Sequence, residues 1–222
     1  MMISGKTVDL FPAAVPGAPL VVVNGEGDEG RRLYDRAREM TEAPFSLALI
    51  GGIDWDAELT PWPAPAAFRG GSDFAGRADA YLDRLTGEIV PRVVKALGAE
   101  PVYAALAGYS LAGLFSLYAL YRTDAFARAA SVSGSLWYPG FMDYVRAHAW
   151  MRRPDCLYLS VGDREGNTRN PVMKPVEANT RAAAALFEQA GVPTAFRLNP
   201  GGHFNDPEGR TARGIAWLLE QG

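Results

Sequence analysis

Residues 102–121 read VYAALAGYSLAGLFSLYALY and contain three parts in a fixed order. The apolar run Val102–Ala107 has the composition of a strand buried on both faces. It leads directly into Gly108-Tyr109-Ser110-Leu111-Ala112-Gly113, and an apolar helical pattern follows over Leu114–Tyr121. A strand, a sharp turn with a serine at its tip and a helix together predict a nucleophile elbow, in which the serine hydroxyl is exposed above the carboxyl edge of a sheet.

The turn matches the pattern G-x-S-x-G with one departure. Small residues are needed two positions before and after the serine, because the strand and the helix approach closely there. Gly108 meets this need, and Ala112 stands where the strict pattern has glycine. The helix N-terminus also favours negative charge near Ser110. The alternative is that Ser110 merely caps the helix of an ordinary strand–helix turn, but the strand before it and the helix after it favour the nucleophile.

The rest of the chain repeats this alternation of strands and helices. Short apolar runs bounded by turn residues occur at residues 20–23, 45–50, 102–107, 129–132, 157–161 and 195–198. Their continuous apolar character predicts central strands buried on both faces. Helical patterns lie at 175–190, at 207–220 and at 76–97, where one broad face carries Ala80, Leu82, Leu85, Ile89, Val93 and Leu97. The order predicts a single α/β domain over residues 1–222, with a mostly parallel sheet and helices on both faces.

The composition restricts the function classes. The chain has 222 residues, a net charge of −3, two histidines and one cysteine, Cys156. There is no long run of Lys or Arg to form a nucleic-acid groove or a patch for anionic membranes, and no stretch of about 18 apolar residues to span a bilayer. The Cys and His counts exclude an internal disulfide and the common zinc sites. With no signal-peptide core in view, we expect a cytoplasmic protein without metal, cofactor, nucleic-acid or membrane partner.

The two histidines differ in their predicted positions. A serine needs an adjacent base to become a good nucleophile, and after such an elbow the partners follow in the order serine, acid, histidine. His203 lies in a Gly/Pro-rich loop between the last predicted strand and the last helix, at the carboxyl edge of the sheet. We therefore expect His203 to be the base, the alternative being a cap of that helix. His148 is expected to be a surface or capping residue.

The acid should follow the predicted strand at 157–161. Two carboxylates, Asp163 and Glu165, compete there. Asp163 directly follows Gly162 and is placed to cap the turn, whereas Glu165 lies further past the strand and can turn back towards the histidine loop. We prefer Glu165, the alternative for both being a solvated loop charge.

An acyl-transfer site also needs donors for the oxyanion and a pocket for the substrate. One donor is normally the backbone N–H after the nucleophile, here Leu111, and the other comes from a loop after an earlier strand. The glycine-rich turn before Ile53 favours the N–H of Ile53. Asp54, Trp55 and Trp137 are possible pocket residues. Turn capping by Asp54 and plain packing of the two tryptophans are equally good interpretations.

Several segments carry a resemblance to one family, at Leu59–Trp62, Ala78–Leu82, Glu88–Pro91, Ala107–Leu114, Ser133–Trp137, Val161–Glu165 and Gly201–Phe204. Over roughly residues 45–220 the chain resembles the putative esterase family related to esterase D, within the α/β-hydrolase fold. It is similar to enterochelin and ferri-siderophore esterases and to related bacterial esterases. The resemblance implies a minimal lid, Ser110 as nucleophile, His203 as base and Glu165, three residues after Gly162, as acid.

The resemblance leaves the substrate open. Residues 1–44 match no siderophore-binding extension, and the few basic candidates for holding an anionic siderophore are Arg69, Arg77, Arg164 and Arg169. A small ester or thioester is an equally good substrate. We expect a serine esterase acting on a small molecule through an acyl-enzyme. The alternatives are a thioesterase or acyltransferase on the same triad, and a non-catalytic binding protein on a hydrolase scaffold. The sequence leaves the oligomeric state unknown.

Overall fold

The strands of the chain fall into one large sheet and one small one. The computed structural model describes residues 1–26, 29–68 and 70–221. Its strands are β1 (Met2–Ile3), β2 (Lys6–Phe11), β3 (Leu20–Asn24), β4 (Ser46–Gly51), β5 (Pro63–Ala64), β6 (Phe74–Ala75), β7 (Ala104–Tyr109), β8 (Arg128–Val132), β9 (Cys156–Gly162) and β10 (Thr194–Asn199).

The large sheet has the strand order β1-β2-β4-β3-β7-β8-β9-β10. From β4 to β10 neighbouring strands are parallel, whereas β2 pairs antiparallel with both β1 and β4. β5 and β6 form the separate antiparallel pair. The predicted α/β-hydrolase fold with a mostly parallel sheet is confirmed, and β7, which carries the serine turn, lies near the centre of the sheet.

Helices cover both faces of this sheet. They are α1 (Glu29–Arg38), α2 (Trp55–Glu58), α3 (Ala78–Arg84), α4 (Val90–Leu97), α5 (Leu111–Ala119), α6 (Phe141–Ala147), α7 (Val176–Gln189) and α8 (Pro207–Glu220). On one face, Leu33 of α1 and Ile215 of α8 belong to the same buried cluster as Val21 of β3. On the other face, Val22 belongs to a second buried cluster, which includes Leu114 of α5. Because alternate side chains of each central strand enter different cores, these strands are apolar throughout.

Two predictions near the edges of the sheet need correction. Residues 195–198 were expected in a central strand, but β10 is an edge strand and Leu198 is 39% exposed. The predicted strands also omit β2 (Lys6–Phe11), in which buried and exposed residues alternate. A search for continuous apolar runs does not detect such a half-buried strand, since its signal is alternation.

The helical predictions hold for α7 and α8 and are partly wrong for residues 76–97. A π-helical turn at Leu85–Ile89 joins α3 to α4. The core-facing residues are Ala78, Tyr81, Leu82, Leu85, Ile89 and Val93, while Ala80 is exposed. A π turn changes the helical repeat, so one fixed spacing does not describe the whole segment. None of the helices described above has the length and apolarity needed to cross a membrane.

The connection between β4 and α3 follows the carboxyl end of β4. In its described part it contains α2 and the short β5–β6 pair. Trp62 anchors this segment, because its indole N–H donates to the Pro139 carbonyl at 2.9 Å. That this edge carries only a minimal lid remains a prediction.

Candidate active site

Ser110 lies at the tip of the turn between β7 and α5. Its φ of 59° and ψ of −122° fall in a region that non-glycine residues rarely adopt. Its N–H donates to the Val132 carbonyl at 3.1 Å, and its carbonyl accepts from the N–H groups of Leu114 and Ser135. These three bonds tie the strained residue to α5, to β8 and to the segment after β8.

Gly108 allows β7 and α5 to approach closely. A Cβ added to Gly108 would lie 2.3 Å from the backbone carbon and oxygen of Ala112. We expect Gly108→Ala to lower the free energy of unfolding by about 1–3 kcal/mol, because the added methyl group overpacks the turn. Urea denaturation measures this change. The matched control is Gly87→Ala, since a Cβ on the exposed Gly87 meets no atom within 4 Å. Equal stability of the two variants would contradict the close approach.

His203 comes from the loop between β10 and α8. Gly201, at φ 96°, lies near the start of this loop, and its N–H donates to Asp163 Oδ1 at 2.7 Å. The Tyr109 hydroxyl donates to the His203 carbonyl oxygen. With the loop fixed at these points, His203 Nε2 lies 3.0 Å from Ser110 Oγ. The fold therefore brings together the predicted nucleophile and base, which are 93 positions apart in the chain.

Glu165 contacts the other side of the imidazole. Its Oε2 lies 2.7 Å from His203 Nδ1, and its Oε1 accepts from the Gly162 N–H at 2.7 Å. Burial raises the pKa of Glu165, but hydrogen bonding and charge interaction with His203, together with the Gly162 N–H, outweigh it and hold the pKa below its ordinary value. An ionised carboxylate only accepts, so Nδ1 carries the proton and Nε2 is free to accept from the Ser110 hydroxyl.

Asp163, the competing acid, has a different contact. Its carboxylate accepts from the Gly201 N–H and so supports the loop that carries His203. The structure therefore brings Glu165 to the imidazole of His203, and it places Asp163 beside Gly201.

Arg210 of α8 is a residue of this site that sequence analysis missed. Its side chain is 1% exposed, and Nη1 lies 3.1 Å from Glu165 Oε1. Nη1 also donates to Ser133 Oγ at 3.1 Å, and Nη2 donates to the Pro200 carbonyl at 2.8 Å. The guanidinium thus compensates the charge of Glu165 and links it to the start of the histidine loop.

The two predicted oxyanion donors have different positions. Leu111 is the first residue of α5, where backbone N–H groups lack partners within the helix. The prediction for Ile53 needs correction, because Ile53 follows β4 and β3 lies between β4 and β7. β3 ends at Asn24, which pairs in register with Gly108, so the loop after β3 is the one beside Ser110.

Two cavities open beside Ser110 and His203. The Asn24 cavity, of about 320 Å³, has the described lining Val23, Asn24, Gly25, Glu26, Glu29, Leu33, Leu49, Trp55, Tyr109, Ser110, His203, Phe204, Pro207, Glu208 and Thr211. The Trp137 cavity, of about 400 Å³, is lined in part by Phe68, Phe74, Leu111, Ser135, Trp137 and Met173. Phe204 lines both cavities and is 89% exposed. The site is therefore divided into two compartments that meet at the serine and the histidine.

The candidate pocket residues divide between capping and lining. Trp55 lines the Asn24 cavity and Trp137 lines the other. Asp54 is absent from the described lining of both cavities, as is Ile53. Asp54 Oδ1 instead accepts from the Ala57 N–H at 3.2 Å and caps α2, which is the alternative role considered for it.

The other reactive side chains lie outside the site. The His148 ring stacks on Tyr144 at the end of α6, with centroids 4.0 Å apart. Burial raises the pKa of Cys156 to about 11, so its thiol is protonated at neutral pH. The described residues contain no group of three His, Cys, Asp or Glu side chains that could hold a metal ion. Of the basic candidates, Arg77, Arg164 and Arg169 are exposed, and Arg69 lies outside the described residues.

Comparisons with known proteins agree with this architecture. An IroE-like serine hydrolase from Shewanella oneidensis superposes with a TM-score of 0.78 at 15% identity, covering 97% of this chain and 76% of that one. The siderophore hydrolase EstA from Aspergillus nidulans superposes with a TM-score of 0.75 at 20% identity, covering 96% and 89%. At these identities the similarity shows the fold.

Sequence comparison adds the family. The Bacillus subtilis protein named "Uncharacterized protein YbbA" is 26% identical over 187 residues, which cover 79% of this chain and 73% of that protein. The family model described as "Putative esterase" matches residues 26–204, which is most of the chain. The chain therefore belongs to the putative esterase family, and its enzyme class is carboxylic ester hydrolase.

Proposed function

We propose that the chain hydrolyses carboxylic esters with Ser110 as nucleophile, His203 as general base and Glu165 as the acid that orients the imidazole. The observation that supports this is a continuous chain of hydrogen bonds, from Ser110 Oγ to His203 Nε2 at 3.0 Å and from His203 Nδ1 to Glu165 Oε2 at 2.7 Å. This arrangement gives a weakly acidic hydroxyl the adjacent base it needs. Because parts from β3 to α8 contribute to the site, we also propose that residues 1–222 act as one catalytic domain.

The first half of the reaction forms the acyl-enzyme. Ser110 Oγ attacks the ester carbonyl carbon while His203 Nε2 takes the hydroxyl proton. Negative charge then develops on the carbonyl oxygen, near the Leu111 N–H and the N-terminus of α5, which stabilise it. When the carbon–oxygen bond of the ester breaks, His203 returns the proton to the departing alcohol. The acyl group remains bonded to Ser110 Oγ.

The second half releases the acid. A water molecule takes the place of the alcohol and gives a proton to His203 Nε2 as its oxygen attacks the acyl carbon. The bond from that carbon to Ser110 Oγ then breaks, and His203 reprotonates the serine. Throughout, Glu165 stays ionised and stabilises the imidazolium that forms in each half.

Labelling with an alkyl fluorophosphonate tests this proposal. The probe bonds to a serine activated by a base, and peptide mass spectrometry identifies the modified residue. We expect an adduct on Ser110, and none on that peptide in Ser110→Ala. The absence of an adduct on folded wild-type protein would contradict the proposal and favour a binding protein on this scaffold. A panel of esters and thioesters, with and without an added alcohol, then separates hydrolysis from acyl transfer.

Within this mechanism Arg210 is a positioning residue, since it contacts Glu165 and not the imidazole. Its positive charge opposes a second positive charge on His203, so removing it should favour the protonated imidazole. We expect Arg210→Met to lower kcat about tenfold and to move the acid limb of the kcat/KM–pH profile to higher pH. Steady-state kinetics across pH measures both effects.

The conservative variant separates positioning from folding. Breaking a buried ion pair costs about 3–5 kcal/mol of stability, so both variants are first checked by thermal unfolding. Arg210→Lys keeps the charge and should leave the acid limb close to its wild-type position. An unchanged profile in Arg210→Met would show that Arg210 serves the fold alone.

A further inference from the structure

The described lining of the Asn24 cavity carries more negative than positive charge. Its described lining includes Glu26, Glu29 and Glu208 and contains no Lys or Arg. Arg32 compensates Glu208, with Nε 2.7 Å from Oε1. Within residues 1–26, 29–68 and 70–221, no ion pair reaches Glu26 or Glu29, and Glu29 Oε2 accepts a 3.3 Å bond from the Glu26 N–H. Among the described residues, these two exposed carboxylates at one side of the site therefore have no ion-pair partner.

Two buried donors at the same cavity lack acceptors. Asn24 is 2% exposed, and its Oδ1 accepts from the Tyr81 hydroxyl at 2.5 Å. Its Nδ2 has no hydrogen-bond partner in the described part of the chain, and neither has the buried Nε1 of Trp55. Buried polar groups in proteins are nearly always paired. Both residues line the Asn24 cavity, so an acceptor atom of a bound ligand that reaches these two N–H groups would pair them.

The Trp137 cavity has a different character. Its described lining includes the large apolar side chains Phe68, Phe74, Trp137 and Met173, together with smaller apolar and polar residues. Of its two carboxylates, Glu165 is already held by His203 and Arg210, which leaves Asp56 as the one without an ion pair among the described residues, against two in the Asn24 cavity. This compartment therefore suits an apolar group, so the two sides of the scissile bond are chemically distinct.

We propose that the Asn24 cavity holds a positively charged, oxygen-bearing part of the ester substrate, while the Trp137 cavity holds its apolar part. An ammonium group would face Glu26 and Glu29, and a carbonyl or hydroxyl oxygen of the same part would accept from Asn24 and Trp55. The same carboxylates disfavour anionic substrates. This inference rests on the proposed serine mechanism, because the cavity is placed relative to Ser110.

Charged phosphonates test the inference without knowledge of the natural ester. The three probes are p-nitrophenyl phosphonates with the same side chain, which contains an amide carbonyl. They differ only in the group at the end of this chain, which is trimethylammonium, tert-butyl or carboxylate. Ser110 Oγ bonds to phosphorus as p-nitrophenolate leaves and His203 takes the serine proton, so the rate is read from p-nitrophenolate absorbance. We expect the trimethylammonium probe to react about tenfold faster than the carboxylate probe, with tert-butyl between them. Added salt should shrink this ratio.

Variants assign the selectivity to the cavity. Glu26→Gln/Glu29→Gln should bring the cation-to-anion ratio towards one. Glu100→Gln/Glu220→Gln makes the same change in net charge at exposed sites, before β7 and at the far end of α8, and should keep the wild-type ratio. In the wild type, a cationic probe without the amide carbonyl should react more slowly than the cationic probe that has it. Trp55→Phe keeps an aromatic ring but removes the N–H, so the ratio of these two rates should be closer to one in this variant.

The outcomes separate the inference from the mechanism. Labelling of Ser110 at equal rates by all three probes, or fastest by the carboxylate, would overturn the proposed cavity specificity and leave the serine mechanism intact. A cation-to-anion rate ratio near one in Glu100→Gln/Glu220→Gln would show that the net charge of the protein, and not the cavity, selects the probe. If no probe labels Ser110 in folded protein, the proposed function fails and the inference fails with it.

Discussion

Replacing Ser110 with alanine should reduce kcat/KM for ester hydrolysis by about 10³–10⁶-fold. The reason is chemical, since alanine has no oxygen to bond to the acyl carbon. The folded state should tolerate the loss of one hydroxyl at the tip of the turn, although alanine must still adopt the strained φ of 59°. Hydrolysis of p-nitrophenyl butyrate measures the rate, and circular dichroism with a thermal melt verifies folding.

Neighbouring serine and histidine variants make this result specific. Ser135 Oγ lies 3.4 Å from Ser110 Oγ, and no imidazole bond to it is present among the described contacts. Ser135→Ala should therefore retain most of the activity. His203→Ala should lose about as much as Ser110→Ala, and the double variant little more, because the two act as one unit. His148→Ala should behave as wild type. Near wild-type turnover in Ser110→Ala would remove Ser110 as the nucleophile.

The parts of the site that sequence analysis predicted depend on local patterns. The turn at Ser110 is recognisable because Gly108 and Ala112 must be small where β7 meets α5. His203 is recognisable because it is one of two histidines and follows the last predicted strand. Each inference needs the direction of one strand and the type of a few adjacent residues. It does not need the full strand order.

The parts that were missed depend on which strands become neighbours. The glycines before Ile53 suggested an oxyanion loop, but the strand that lies beside β7 is β3. Arg210 is harder still, since a charged residue in α8 is normally expected to face solvent. It is buried because it bonds to the Pro200 carbonyl in the loop before α8 and to Glu165, which lies 45 positions away in a loop after β9. No periodicity in the sequence predicts these contacts of Arg210.

The second large effect distinguishes the two candidate acids. We expect Glu165→Gln to reduce kcat by about 10⁴-fold, as the corresponding amide does in a well-studied serine triad. The amide nitrogen of glutamine donates, so it can favour the imidazole tautomer whose Nε2 carries the proton and cannot accept from Ser110. It also leaves the buried Arg210 without its anionic partner. Steady-state kinetics at a pH where the wild type is fully active measures the loss.

Asp163→Asn is the matched comparison, because it makes the same acid-to-amide change two residues away. Asparagine Oδ1 can still accept the Gly201 N–H, so the histidine loop should keep its position and kcat should fall less than about tenfold. Because the pKa of Glu165 is lowered, its carboxylate remains ionised as the pH falls below the ordinary pKa range of glutamate. Protonation of Glu165 therefore does not affect the comparison of the two variants. A larger loss in Asp163→Asn would show that Asp163 is the acid. Small losses in both variants would instead indicate that Ser110 and His203 work as a dyad, with Glu165 and Arg210 holding the loop.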